Sequence, residues 1–290
     1  MIGIRAAASS AIAVLGLALL LGPVTTDPAA TVGADRLVHA RATAALSALD
    51  ALRAAVQPGL DAARQAAAAV VSGDAPPSPL LTEAAALIAD AEPAVPPARC
   101  AVAALGSARV ASHPDATVTR QPVAAGELAS IATQLGSAAP AADTFTDLRT
   151  RGTGMPGVLE AALGALERGA VAEAVELTSR ARVDHDAIVA WETDLPTLPV
   201  WIETTDAMIG AVEQILDATQ AGDAAAAAAG AASFAALADE AATADRALRI
   251  ALSEGGASLT AAPLERLAAV LGAIETARAT TAAAISEPDR

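Results

Sequence analysis

Apolar side chains recur along this chain mainly at intervals of three and four residues, which is the spacing of one helix face. This spacing predicts one long helix over residues 35 to 71, kinked at Pro58-Gly59 because a proline removes a backbone hydrogen bond. Ser78 before Pro79 predicts the start of a short helix that runs to about residue 90. The larger apolar residues of the long helix are Val38, Leu46, Leu49, Leu52, Val56, Leu60 and Val70.

Prolines predict a break after these first helices. The stretch EPAVPPA, residues 92 to 98, favours a stiff polyproline-like connector. Residues 99 to 151 have the least regular pattern, with a predicted helix over 126 to 139 and loops around HPDATVTRQP. We therefore expect residues 93 to 151 to be an irregular, proline-containing connector with short helices.

Helical periodicity dominates the rest of the chain. Gly169 and Gly222 each follow a periodic segment, and glycine is the preferred residue just after a helix. Segments around these glycines match weakly at an offset of 53 residues, which favours antiparallel helical hairpins. The fold class we expect is all-α, either an Ala-rich helical bundle or an array of antiparallel helical hairpins. The predicted helices here cover residues 156–168, 171–191, 200–220, 223–253 and 263–285.

The first 34 residues have the pattern of an export signal. Arg5 precedes an apolar run over residues 11 to 21, and Gly22-Pro23 ends it. The small residues at 32 to 34 provide a cleavage motif, although an uncleaved membrane anchor is the alternative. We therefore expect an extracytoplasmic protein, secreted or held at the outer face of the membrane by this segment. The other segments would be N-terminal helices (35–92), the connector (93–151) and a C-terminal bundle (152–290).

Composition narrows the possible chemistry. The chain has 290 residues, 54% of them apolar, but many of these are alanine, so helices must pack closely to gain contacts. It contains no lysine, which excludes a Schiff-base lysine and a Walker A lysine. The use of arginine alone and the scarcity of several residue types favour a bacterial coding sequence rich in G and C. A net charge of −15 argues against nucleic acid as a partner.

The only cysteine and a glycine motif could have chemical roles, but each also has a structural interpretation. Cys100 cannot form an intramolecular disulfide, and a small buried hydrophobic role or a reactive thiol both remain open. Gly152, Gly154 and Gly157 have the spacing of a dinucleotide fingerprint, but no apolar strand precedes them. A loop followed by a helix start is the better interpretation.

Two groups of residues are candidate ligand-binding sites. Arg149 and Arg151, beside a helix N-terminus, could hold one carboxylate or phosphate. Residues 184 to 206 hold Asp184, His185 and Glu192, which on a helix could contribute to a metal site. The same stretch carries Trp191 and Trp201 on either side of the helix-breaking DLPTLP, where they could line a pocket. The alternative is that these charges form a solvated face and the apolar residues pack inward.

These observations favour a non-enzymatic function. We expect an exported, envelope-associated or secreted helical binding or scaffolding protein, whose partner is an envelope protein or a small ligand. It requires no cofactor, and a membrane contact would run only through the N-terminal segment. The alternatives are an extracytoplasmic metal- or carboxylate-dependent hydrolase, or a metal or small-solute uptake or sensing module, both centred on residues 184 to 206. The sequence does not predict the oligomeric state.

Overall fold

The structure is a computed structural model that describes residues 28–112, 121–190 and 195–286. Every regular element within these ranges is helical, which confirms the all-α class. A short 3-10 turn, Glu92–Ala94, joins the second helix to the third. The α-helices, in chain order, are α1 (Pro28–Ser72), α2 (Pro77–Ala91), α3 (Val95–Ser112), α4 (Glu127–Gly152), α5 (Met155–Glu167), α6 (Val171–Val189), α7 (Leu198–Ala221) and α8 (Ala224–Ser286).

The helices enclose two hydrophobic cores. The first core joins α1, α2, α3, the beginning of α4 and the C-terminal part of α8 around Leu267 and Ile274. The second core joins the end of α4, α5, α6, α7 and the N-terminal part of α8 around Phe234 and Leu248. Only α4 and α8 contribute residues to both cores. Because α8 has 63 residues, it is about 95 Å long at 1.5 Å per residue.

Glycines on α8 allow its neighbours to approach closely. A Cβ atom at Gly230 would lie 2.7 Å from Ile215 Cγ1 of α7. Farther along the helix, a Cβ at Gly255 would lie 2.7 Å from Phe145 Cε1, and one at Gly256 would lie 2.9 Å from Val70 Cγ1. These separations are shorter than non-bonded carbon contacts tolerate. The glycines therefore let α8 pack directly against α7, α4 and α1.

Two of the predicted hairpin turns are built as expected. Gly169 and Gly222 have φ values of 75° and 73°, a left-handed conformation that glycine adopts without steric penalty. The amide of Asp223 donates to the carbonyl of Ala218 and closes the end of α7. The Asp223 carboxylate then accepts hydrogen bonds from the amides of Ala225 and Ala226, so it caps the start of α8.

Three sequence-based expectations about single elements were wrong. Residues 92 to 98 form the 3-10 turn and the start of α3, since prolines in a first turn lack only an amide that has no helical partner there. The helix expected over 126 to 139 continues through Pro140 to Gly152. The break expected between 253 and 263 is absent, because α8 runs through Gly255, Gly256 and Pro263. Packing against α1 and α4 overrides the low helix propensity of these residues.

Only one described stretch has the length and apolar composition of a membrane-crossing helix. It covers Ala224–Ala283 of α8. Core helices of soluble proteins that meet the same criteria are mostly buried, whereas 28% of the most apolar window of α8 is buried where it packs against α1, α4 and α7. The predicted leader lies outside the described residues, except for its last few residues, which belong to the start of α1. The leader's export role stays a prediction.

Candidate functional site

His185 and Trp201 are the largest polar and aromatic groups buried between α6 and α7. His185 lies on the buried face of α6, and its Nε2 is 3.1 Å from the carbonyl oxygen of Ile202. Because that oxygen can only accept, Nε2 carries the hydrogen and donates it. The imidazole stacks on the Trp201 indole, with 6.4 Å between ring centroids and 27° between planes. The pair therefore joins α6 to the second turn of α7.

Asp184 is paired with an arginine of α4. Arg151 NH1 donates to Asp184 Oδ1 at 2.9 Å, and Arg151 Nε donates to Asp147 Oδ2 at 3.0 Å. The hydrogen bond with Asp147, with a further contribution from Asp184, raises the pKa of Arg151 above its ordinary value. Asp184 and His185 are adjacent in sequence but make contacts with different helices. Each contact fixes the position of α6.

Arg149 caps the C-terminal end of α1. Its NH1 donates to the carbonyl oxygen of Val70 at 3.1 Å and lies against Gly73, whose φ is 75°. Its NH2 is buried and has no hydrogen-bond partner among the described residues. Burial lowers the pKa of Arg149, and the nearby charge of Asp74 partly offsets this effect. Arg149 and Arg151 thus point to different partners within the chain.

The glycine motif has the interpretation favoured by the sequence. Gly152 is the last residue of α4, and α5 begins at Met155 with a proline in its first turn. A Cβ at Gly152 would lie 3.5 Å from both Trp201 Cζ2 and Leu248 Cδ2. The motif is therefore a tight link between α4 and α5 beside the second core.

The remaining candidate residues lie beyond what the structure describes. Trp191 and Glu192 fall in the gap between residues 190 and 195. Within the described ranges, no three His, Cys, Asp or Glu side chains converge as metal ligands would. The metal assignment to Asp184, His185 and Glu192, and the ligand assignment to Trp191, Trp201, Arg149 and Arg151, stay predictions. Cys100 has an exposed thiol, so the interpretation of a buried cysteine was wrong.

An open cleft of about 410 Å³ lies between α6 and α7. Val175 and Val183, two turns apart on α6, form one wall and are 40% and 64% exposed. Glu213 and Asp217, one turn apart on α7, stand on the opposite side. Between them the cleft combines apolar and uncharged polar surface. Its other lining residues are Thr178, Ser179, Arg182, Leu216 and Gln220.

Arg182 is the only cation among the described residues that line this cleft. Its Nε and NH2 donate to the two carboxylate oxygens of Glu213 at 3.2 and 2.8 Å, and its NH1 donates to Asp206. The hydrogen bond with Glu213, assisted by Asp206, raises the pKa of Arg182 well above its ordinary value. The guanidinium is therefore fully engaged, and it holds α6 to α7.

No family model, curated protein or solved structure matches this chain. The kind of ligand that the cleft can hold is therefore inferred from the residues that line it. Its residues come from two antiparallel helices and combine exposed valines with an excess of carboxylates. This combination of surfaces is complementary to groups that are apolar and cationic.

The sequence analysis placed its candidate site at residues 184 to 206 and did not predict this cleft. The available signal was the spacing of Val175, Ser179 and Val183 at i, i+4 and i+8, on a part of α6 that the charges of residues 184 to 206 overshadowed. Val175 and Val183 are exposed on a face of α6 that is separate from the residues facing the second core. The position of α7 beside it could not be read from the sequence.

Proposed function

We propose that this chain is an exported, non-enzymatic helical protein that binds or scaffolds a partner protein at the bacterial cell envelope. The observation that carries the proposal is that α8, together with α4, contributes residues to both hydrophobic cores. A shared helix holds the two cores at a fixed separation, as a spacer or scaffold requires. The exposed cleft between α6 and α7 then offers a surface that the chain's own described residues do not cover.

Ion pairs along α8 support a rigid arrangement. Arg266 donates to Glu127 of α4 at 2.8 Å, and Arg278 donates to Asp50 of α1 at 2.6 Å. In the second core, Arg249 of α8 donates to the carbonyl oxygen of Thr153 at 3.0 Å. Each exposed pair contributes little free energy alone. Their number along one helix nevertheless restrains its rotation and sliding against its neighbours.

The negative charge is consistent with this function. With 33 acidic and 18 basic residues, the chain repels other copies of itself and stays soluble at high local concentration. The leader would direct it out of the cytoplasm, and the expected mature chain begins near residue 35. The function as a binding protein needs no bound metal or cofactor.

Native mass spectrometry of the protein recovered from the envelope and the medium of its producing cells tests this proposal. We expect a chain shortened by the leader that retains the mass of a second protein. A bare monomer would contradict the binding function. A retained metal ion or small molecule would instead favour the solute or metal module centred on residues 184 to 206, and its mass would identify the ligand class.

A further inference from the structure

We infer that the cleft between α6 and α7 docks an amphipathic helix of a partner protein, one that carries apolar residues on one face and Arg or Lys beside them. This inference rests on the proposed binding function and names the partner's chemistry. Two antiparallel helices form the walls, so their ridges leave a groove along which a third helix can lie. The three helices would then resemble one layer of the bundle that the rest of the chain already forms.

The apolar contacts come from α6 and the floor. Val175 and Val183 present side chains that are 40% and 64% exposed, and Leu216 lies between the helices at the base. The two valines are separated by about 12 Å along the axis, the length of two helical turns. A partner helix with leucines at i, i+4 and i+8 would therefore place one apolar side chain near each valine and one between them.

The carboxylates of α7 determine which sign of charge on a partner helix is complementary to the cleft. Arg182 is held by Glu213 and Asp206, so its positive charge is already neutralised within the chain. Asp217 forms no ion pair among the described residues and stands one turn beyond Glu213. Among the described residues that line the cleft, two carboxylates, Glu213 and Asp217, stand against one guanidinium and leave a net negative charge. A second copy of this acidic chain is thus a poor occupant, and a cationic helix is complementary.

The neighbouring hollow between α7 and α8 favours the same sign. It has a volume of about 520 Å³ and shares Glu213 and Asp217 with the cleft, and Asp223 adds another carboxylate. Its other lining residues are small or uncharged and offer little apolar area, namely Gly210, Gln214, Ala218, Ala221 and Ala226. Long Arg or Lys side chains that extend over the Glu213–Asp217 ridge would reach it, while the apolar face stays in the cleft.

Two synthetic helices of about 18 residues provide a direct test with the full chain. Both carry leucines at i, i+4 and i+8, but one has arginines beside them and its twin has glutamates. Fluorescence anisotropy would measure their affinities. We expect the basic peptide to bind saturably, about tenfold or more tightly than its twin, with an affinity that falls as salt is added. Equal affinities, or no binding of the basic peptide, would overturn the inference.

Two exposed substitutions in the cleft separate its apolar and charged contributions. Val183→Ser should weaken both peptides by about threefold to tenfold, because it removes apolar area from the contact. Asp217→Arg should weaken the basic peptide by about tenfold and strengthen the acidic one. The matched controls are Val200→Ser, at a valine 53% exposed outside the cleft, and Asp90→Arg, on the exposed face of α2. Control variants that act like the cleft variants would contradict docking at this place.

The same variants in the producing cell distinguish this inference from the proposed function. Loss of the retained protein mass with Asp217→Arg, but not with Asp90→Arg, supports both. A retained mass that survives both cleft substitutions would leave the binding function standing and contradict the cleft as its place. A chain that carries no protein in the cell but binds the basic peptide selectively would contradict the binding function alone.

Discussion

Replacing Gly230 by alanine tests how closely α8 packs against α7. The added Cβ would lie 2.7 Å from Ile215 Cγ1, 3.2 Å from the carbonyl oxygen of Ala211 and 3.3 Å from the amide nitrogen of Ile215. Two of these three atoms belong to the backbone of α7, so they cannot move aside as a flexible side chain does. The helices would have to separate, and the contacts next to the glycine would loosen.

The expected magnitude combines two opposing contributions. Alanine in a helix interior stabilises it by about 1 kcal/mol relative to glycine. Overpacking of a close interface destabilises by about 1 to 3 kcal/mol. The free energy of unfolding should therefore fall by about 1 kcal/mol in Gly230→Ala. Gly272→Ala is the matched control on the same helix, because a Cβ there would meet none of the described residues within 4 Å. It should raise the free energy of unfolding by about 0.5 to 1 kcal/mol.

Urea unfolding, followed by far-ultraviolet circular dichroism, measures both variants against the parent chain. We expect the two to differ by roughly 2 kcal/mol, or by roughly 4 to 8 °C in Tm if they are melted instead. The opposite signs are decisive, since propensity alone predicts the same stabilisation at both positions. A Gly230→Ala variant as stable as Gly272→Ala would refute the close packing of α7 and α8.

Three further predictions concern the contacts around α6. A double-mutant cycle of Arg182→Met and Glu213→Gln should give a coupling free energy of about 1 kcal/mol, since the pair is bidentate but partly exposed, and a value near zero would contradict the bridge. His185→Ala should lower the free energy of unfolding by about 2 to 4 kcal/mol, because it leaves a void beside the Trp201 indole and removes the hydrogen-bond donor to the carbonyl oxygen of Ile202. The fluorescence emission of the buried Trp201 should shift to longer wavelength. An unchanged spectrum would contradict the contact between the His185 imidazole and the indole. The free energy of unfolding should change by less than about 0.5 kcal/mol between about pH 9 and about pH 11, because the chain has neither lysine nor tyrosine. The raised pKa of Arg182 also keeps the stability contributed by its ion pairs fully present below the ordinary pKa of arginine. A steep loss of stability over this pH range would contradict the role of these ion pairs.

Local patterns predicted the helices better than the way they meet. The period of three to four residues was sufficient to predict α1, α2 and α5 to α7, and Gly169 and Gly222 ended helices as the sequence indicated. The break expected between residues 253 and 263 was wrong because the glycines there serve close packing between helices and do not end a helix. Gly255 and Gly256 meet side chains of α4 and α1, which are more than a hundred residues away in sequence.

The candidate site was harder to predict for a similar reason. Asp184 and His185 were singled out as neighbours on a helix, yet their partners, Arg151 and the carbonyl oxygen of Ile202, come from two other helices. Sequence spacing predicts which side chains share a face but not what lies opposite that face. The cleft between α6 and α7 exists because a face of α7 lies opposite a face of α6. The sequence showed that Val175 and Val183 share a face of α6, but not that carboxylates of α7 lie opposite them.

We propose that α8 joins the two cores into one rigid body. The helix is intrinsically weakest at Gly255, Gly256 and Pro263, where the first core gives way to the second. Contacts of Gly255 with Phe145 and of Gly256 with Val70 support this section from two sides. A flexible joint here would leave α4 as the remaining described helix that connects the cores and would weaken the basis of the scaffold function.

Pulsed electron spin resonance tests this rigid connection by measuring the distance between spin labels at Ala232→Cys and Ala268→Cys in a Cys100→Ser background. Both positions are exposed on α8, on opposite sides of the joint, and they are ten helical turns apart on the same face. A continuous helix predicts one narrow distance distribution centred at about 54 Å. A broad distribution, or one centred at a clearly shorter distance, would contradict the rigid connection between the two cores.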